Sequence, residues 1–301
     1  LRLDNAFRWN NTAASMRWTG VAGPPLFFST SAALTDYGFS ARHRWSSPGA
    51  PDERFNSEFT LHDLSLRGHA EYFYDEFHTM LAGVELVQHR LSGTISAFSS
   101  QILSMSLSAP PPWELSVYVQ DQWRLVPSVL AEFGARATSF VAAGGASSSV
   151  DPRFSLLVML DDDRRIFASL SAVNQYIHPY RHSGIFLFVP SIFFYPSDAN
   201  VPPSTSLLAA VGFENLLRED RYRIAVESYY RVTRNLHEFA ADTGRPVRSE
   251  LSDALLVGEG TSYGAEVTLD KRTGPLMGSI RYTLSWSFNR FAELNNGEPF
   301  R

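Results

Sequence analysis

The sequence predicts an all-β protein, an antiparallel transmembrane β-barrel with about twelve strands present in the chain. Three observations lead there. Apolar and polar residues alternate with a period of two, and the alternating runs commonly span about ten to fifteen residues. Short connections also alternate with long ones. A globular strand averages about five or six residues. A tilted strand needs roughly 9 to 11 residues to cross the hydrocarbon of a bilayer, with apolar side chains out and polar ones in.

In chain order, the first half is punctuated by tight turns near residues 21–25 (VAGPP) and 75–78 (DEFH), with longer connections expected near 46–55 and 92–112. The run ELSVYVQDQWRL, 114–125, is a strand whose Leu115, Val117 and Val119 face lipid and whose Ser116, Tyr118, Gln120 and Gln122 face the lumen. Asp121 falls on the apolar side. It lies only a few residues from the turn at 126–128 (VPS), beside Trp123, where a membrane interface tolerates an acid; a β-bulge turning it inward is the alternative. The split continues through 129–139 and 165–176, around an expected long connection at 140–151 and a turn at 161–164 (DDDR). It appears again in 206–217, between an expected long connection at 178–203 and a turn at 218–220 (RED).

In RYRIAVESYYRVTR, 221–234, Tyr222, Ile224, Val226, Tyr230 and Val232 oppose Arg223, Glu227, Arg231 and Thr233. After a long connection at 236–260, SYGAEVTLDK sets Tyr263, Ala265, Val267 and Leu269 against Glu266 and its neighbours. A turn at 272–275 (RTGP) leads to LMGSIRYTLSWS, in which Ile280, Tyr282, Leu284 and Trp286 oppose Arg281, Thr283 and Ser285. Six short turns make six hairpins, hence about twelve strands, with the long connections on one side of the membrane as in outer-membrane barrels.

Composition removes several other classes. The net charge is −5 and no basic block occurs, which argues against a nucleic-acid partner. Cysteine is absent, so disulfides, thiol nucleophiles and cysteine-ligated metals are out. The most apolar stretch, GIFLFVPSIFFY at 184–195, is too short for a membrane helix and is broken by Pro190. The opening residues carry no signal-peptide pattern.

Few motifs suggest chemistry. GTSYG, 260–264, matches the nucleophile-elbow pattern, but Ser262 is followed by an alternating strand where the elbow needs a helix. His178 and His182 in HPYRH have a ligand-like spacing, yet Pro179 disfavours the helix that would align them, so they read as loop histidines near the aqueous surface. Asp161, Asp162 and Asp163 read as a solvated turn. No catalytic residue, metal site or cofactor is expected. The polar faces place Glu132, Arg136, Glu214, Arg223, Glu227, Arg231, Glu266 and Arg281 in the lumen, paired with one another or with a plug. Phe186, Phe188, Phe193, Phe194 and Tyr195 concentrate aromatic surface in an exterior connection, a candidate contact for a ligand or for a surface lipoprotein lid; folding inward over neighbouring loops is the alternative.

Four stretches, YVQDQWRLVPSVLAEFGARATSF (118–140), DPRFSLLVML (151–160), YYRVTRNLHEF (229–239) and GEGTSYGAEVTLDKRTGPLMGSIRYTLSWSFNRFAELNNGEPF (258–300), resemble the barrel of TonB-dependent outer-membrane receptors. The likeness rests on a Y-x-Q-D strand, a G-x-R strand, a G-x-S-x-G-x-E strand with a K-R turn, and a Y-T-x-S hairpin; residues 1–113 match mainly in rhythm. The resemblance implies a 22-stranded barrel, a plug that couples to the TonB system, and no enzymatic step. On that basis residues 1–301 are expected to form a single partial barrel domain, a fragment without its plug and closing strands. The implied function is active uptake of a scarce nutrient (siderophore, cobalamin, glycan or peptide) through the outer membrane. The other readings are a passive porin or adhesion barrel of about twelve strands, and a soluble β-rich carbohydrate-binding module.

Overall fold

The computed structural model describes residues 2–46, 53–98, 102–108, 110–182, 191–239 and 255–301. These form β1 (Arg2–Val21), β2 (Leu26–Ser46), β3 (Glu53–Phe73), β4 (His78–Phe98), β5 (Ile102–Ser108), β6 (Trp113–Val126), β7 (Val129–Ala142) and β8 (Gly145–Met159). There follow β9 (Arg164–Gln175), β10 (Ile177–His182), β11 (Ser191–Pro196), β12 (Ser204–Leu217), β13 (Tyr222–Phe239), β14 (Leu255–Lys271) and β15 (Gly278–Phe291). Twelve strands run in one antiparallel sheet in the order β1-β2-β3-β4-β6-β7-β8-β9-β12-β13-β14-β15, with β5 added to β4 and β10–β11 forming a separate hairpin. The expected all-β wall of twelve strands is present as an open barrel, since β1 and β15 are not paired with one another.

Alternation sets which face is which. On β6, Leu115, Val117 and Val119 are about half exposed while Ser116 between them is 1% exposed. Register carries the same split to neighbouring strands: Val117 faces Val84 and Ala137, and Ser116 faces Glu85 and Thr138. The sheet therefore has a convex face bearing Leu34, Leu66, Val84, Val117, Val211 and Val267, all exposed, and a concave face where charged side chains are covered. A water-soluble sheet does the reverse; an exposed apolar face of this extent needs lipid.

Asp121 keeps the phase that the sequence gives it. It pairs in register with Met80 and its carboxylate lies 2.8 Å from His78 Nδ1, on the same face as Trp123, whose ring stacks on His78 at 5.3 Å. The register shift falls later, between Arg124 and Val126, so no bulge turns Asp121 inward. Trp113 and Trp123 bracket the apolar positions of β6 from either end, as girdle residues do.

Several expected long connections are shorter than the sequence suggested. The segment 140–151 is strand on both sides of the two-residue turn Ala143–Gly144. The run AAGGASSS falls within that expected connection, but it pairs as a ladder whose hydrogen bonds do not depend on side-chain size. Much of 92–112 continues β4 and adds β5, and 178–203 contains the β10–β11 hairpin. β1 to β4 reach 20 or 21 residues, about twice a membrane crossing.

Candidate binding face and lumen

Along β1 to β4 the alternation changes phase. In the lower half of β2, the half next to the turn at 22–25, Leu26, Phe28, Ala32 and Leu34 point outward and Ser29, Ser31 and Thr35 inward. Above Asp36 the outward residues are Ser40, Arg42 and Arg44, and the inward ones are Tyr37, Phe39, Ala41 and His43. β3 repeats the switch: Leu64 and Leu66 are outward below, whereas Phe55 and Phe59 are inward above, at 1% and 3% exposure. Leu91 on β4 is likewise buried, beside exposed Arg90 and Ser92. The chain thus clothes its outer face for lipid below one level and for water above it, and the aromatic residues move to the inside where the wall leaves the membrane.

The upper inner wall is tightly made. A side-chain carbon at Gly93 would lie 2.0 Å from the Phe59 ring, so glycine is the residue that lets that ring lie flat on β4. The β10–β11 hairpin reaches this wall from the opposite side: the Phe194 ring meets Tyr37 edge-on at 5.5 Å. Its base is fixed against β13. His178 Nε2 lies 2.8 Å from Ser197 Oγ, the His178 and His237 rings cross at 4.4 Å, and Ser204 donates to the Asn235 carbonyl at 2.6 Å. Burial pushes the His178 imidazole down to about 3, helped by the adjacent His237, and pushes His237 down to about 4.

Below this level the concave face carries charge in two clusters. Glu85 on β4 accepts from Arg67 Nε at 3.1 Å and from Arg136 Nη2 at 2.7 Å, and Arg136 also lies over the Tyr118 ring. His89 joins Asp63 at 2.8 Å and Glu114 at 3.7 Å. In the second cluster, Glu214 is clamped by Arg165 and by Arg223, which reaches on to Asp270 at 2.9 Å. Each cluster crosses three or more strands, so the ion pairs fix the wall's curvature as well as its polarity.

Register sets Glu132, Arg136, Glu214, Arg223, Glu227, Arg231, Glu266 and Arg281 on the concave face. Of these eight, Arg223 and Glu214 meet each other; Arg136 joins Glu85, Arg231 donates to Ser262, and Glu266 accepts from Thr283. Glu227 stands directly opposite Glu266. The partners missing from the sequence reading are Arg67, Glu85, Asp63, His89, Glu114 and Arg165. The alternation of MLAGVELVQ would have found Glu85, which sits between Val84 and Leu86 as Glu214 does between Phe213 and Asn215.

Of the aromatic candidates, Phe194 and Tyr195 are half-buried in β11, and Tyr195 donates to Asp198 at 2.7 Å. Phe193 lies in the same strand opposite Tyr180, while Phe186 and Phe188 lie outside the described residues. His178 is 4% exposed, so it is a packed residue and not a surface histidine. Among the described residues no group of three or more histidines and acids could hold a metal. Ser262 sits mid-strand in β14 near Ser287, with strand on both sides, so the elbow geometry is absent there. Asp161 caps its own turn, accepting from the Asp163 and Arg164 amides, and the Arg164 guanidinium holds its carboxyl below the ordinary carboxylate range.

A lipid-facing convex wall, a charged concave wall and a hairpin folded across the mouth define an antiparallel outer-membrane-type receptor barrel. The family model for the TonB-dependent receptor-like β-barrel matches residues 1–299, and the chain belongs to that family. Its members are outer-membrane transporters and receptors. Among solved structures, the ferric yersiniabactin uptake receptor FyuA from Yersinia pestis has a TM-score of 0.66 at 13% identity, covering 95% of this chain and 43% of that one. BauA, the ferric preacinetobactin receptor from Acinetobacter baumannii, has a TM-score of 0.60 at 11% identity, over 93% and 45%. The RagAB peptide transporter has a TM-score of 0.59 at 12% identity, over 98% and 38%. The chain spans about half or less of the length of these structures. No curated protein matches the sequence.

Proposed function

We propose that residues 1–301 are a partial barrel domain of an outer-membrane receptor that imports a scarce nutrient actively, and that a plug outside this chain couples it to the TonB system. The observation that carries this is the β10–β11 hairpin, which crosses the mouth and rests through Phe194 on the aromatic wall around Tyr37. An aromatic element drawn across the entrance offers a surface on which cargo can be recognised before passage. The barrel binds and passes ligand and performs no covalent chemistry. Phe186, Phe188, Phe193, Phe194 and Tyr195 are the proposed ligand contacts, and the lumen residues form the wall that meets plug and cargo. A surface lipoprotein lid is a second candidate partner.

The cargoes of the structural neighbours, ferric siderophores and peptides, are the classes to try first, followed by cobalamin and glycans. Deleting 184–195 in the receptor should lower uptake from such a panel severalfold while surface assembly is retained. Unchanged uptake would remove the hairpin from the mechanism. Uptake that persists after the energy-transducing system is disabled would favour the passive barrel of about twelve strands, which also requires β1 and β15 to pair; in this sheet they do not.

A further inference from the structure

β4 has two partners along one edge. Its lower part, His78 to Gln88, pairs with β6, and its upper part, Ser92 to Phe98, pairs with β5. β5 and β6 therefore occupy one lane of the wall, β5 above β6. Pro110, Pro111 and Pro112 lie between them, and the Pro112 carbonyl accepts from the His89 amide at 2.9 Å. The next lane is β7, and it stops low. Val141 stands opposite Trp113, the first residue of β6, and the chain then turns through Ala143 and Gly144 into β8. Beside β5, above that turn, the lane is open. Among the described residues β5 pairs with β4 alone, and no other backbone hydrogen bond reaches 102–108.

Along an antiparallel strand, successive residues turn their N–H and C=O to alternate sides. About half of the seven residues of β5 thus present both groups to the open lane. Proteins ordinarily guard such an edge with charges, proline or a bulge. ILSMSLS contains no charge, no proline and no glycine, and its ladder with β4 runs without a register shift. An extended, uncharged edge of this kind is a template for another strand.

Position selects the occupant. An added strand lies in the lane of β7, directly above the Ala143–Gly144 turn, on which Asp198 of the β11–β12 connection packs. β7 and β8 fill the membrane beneath it, so the strand cannot come up from the bilayer. A second copy of the chain is ruled out on the same ground, since its β5 joins β4 and β6, which descend into the column already filled. The occupant is then a segment from outside the membrane, about seven residues and about 23 Å long. Register states its chemistry. Leu103, Met105 and Leu107 continue the inward row of Leu91 and Gly93, and the serines between them continue the outward row of Ser92 and Thr94. A strand that extends both rows alternates apolar and small polar residues. We propose that the open edge of β5 binds an extended, uncharged strand of a second surface polypeptide by strand addition above the β7–β8 turn. This goes beyond the uptake reading and does not depend on which cargo is carried.

The test uses the receptor in detergent and a fluorescent peptide with the sequence SGTISAF, residues 92–98, the strand that β5 already accepts on its other edge. It should bind saturably with a Kd on the order of 10 to 100 µM. Two further peptides carry N-methyl groups, one at the odd positions and one at the even. Only one set of amides can face β5, so one peptide should lose about tenfold or more in affinity while the other binds as the unmodified peptide does. Equal affinities of the two, retained or lost, overturn the proposal, as does absence of binding by the unmodified peptide. Amide exchange of 102–108 gives a second readout that needs no altered protein. In the free receptor alternate amides should exchange fast, and the peptide should slow that set about tenfold or more. Exchange that is uniformly slow without peptide would show the edge already covered and would overturn the proposal.

Discussion

Glu85 is a carboxylate almost without water on a wall that otherwise faces an aqueous lumen, and two guanidiniums, Arg67 and Arg136, depend on it. Replacing it by Ala leaves both cations to find other partners. Because Arg67 is about half exposed, solvent recovers part of the loss. The expected cost is about 2 to 3 kcal/mol, read as a lower midpoint in urea unfolding of the reconstituted barrel. Gly93 is the opposite case, a residue that matters for the atom it lacks. Gly93→Val drives a methyl group into the Phe59 ring and should cost about 1 to 3 kcal/mol, whereas valine at Gly68, where a new side chain meets nothing within 4 Å, should cost little. Equal effects at the two positions would refute the packing argument. Asp121 shows what local context does to an apparent error in a pattern: one hydrogen bond to His78 and the nearby Trp123 make an acid acceptable at the edge of the apolar band.

At the scale of the element, the β10–β11 hairpin is the part expected to respond to pH. His178 and His237 are held neutral by burial, with folded values of about 3 and about 4 against an ordinary histidine value of 6.5. Between those values and 6.5 the released state binds more protons than the docked one, so docking is fully stable above 6.5 and weakens as pH falls toward 4. The protection factors of 177–182 and 191–196, corrected for the intrinsic pH dependence of amide exchange, should therefore fall as pH is lowered from 6.5 to 4, while those of the β6–β7 ladder stay unchanged. Replacing both histidines by Gln should remove the pH dependence; persistence of it would assign the effect elsewhere. The same element explains why loop assignment failed in part. Alternation is legible in long runs, but IHPYRH and SIFFYP are too short to show a period, and only their mutual pairing makes them strands.

At the scale of the molecule, the convex face of β1 to β4 divides at one level, and substitution can map that level. Arginine at Leu66, Val84 or Val117 should cost about 2 to 4 kcal/mol in bilayer refolding equilibria, while arginine at Ser40 or Ser92, above the level, should be near neutral. A flat profile across both sets would contradict the placement of the membrane. The strand count, the antiparallel order, the direction of each alternating face and the charged lumen follow from the sequence, because period two is a local property that any stretch of about ten residues displays. The eight charged positions read from the pattern fall on the concave side by register. The phase switch on β1 to β4 is equally written in LFFSTSAALTDYGFSARHRWS, yet it reads as broken alternation until the strand is seen to run on past the membrane.

What the sequence by itself determined is therefore the material of the wall: which residues alternate, how long the strands run, and which side must meet lipid. Only the tertiary structure decided which charges meet, because Arg67, Glu85 and Arg136 lie 18 and 51 residues apart and are joined by register across strands. It also decided that the aromatic segment near Phe194 turns inward onto Tyr37, and that His178 is buried. The physical reason is the same in each case. A side chain's face is set by its neighbours in the chain, but its partner is set by hydrogen-bond ladders that bring distant segments side by side, and no local pattern encodes that pairing.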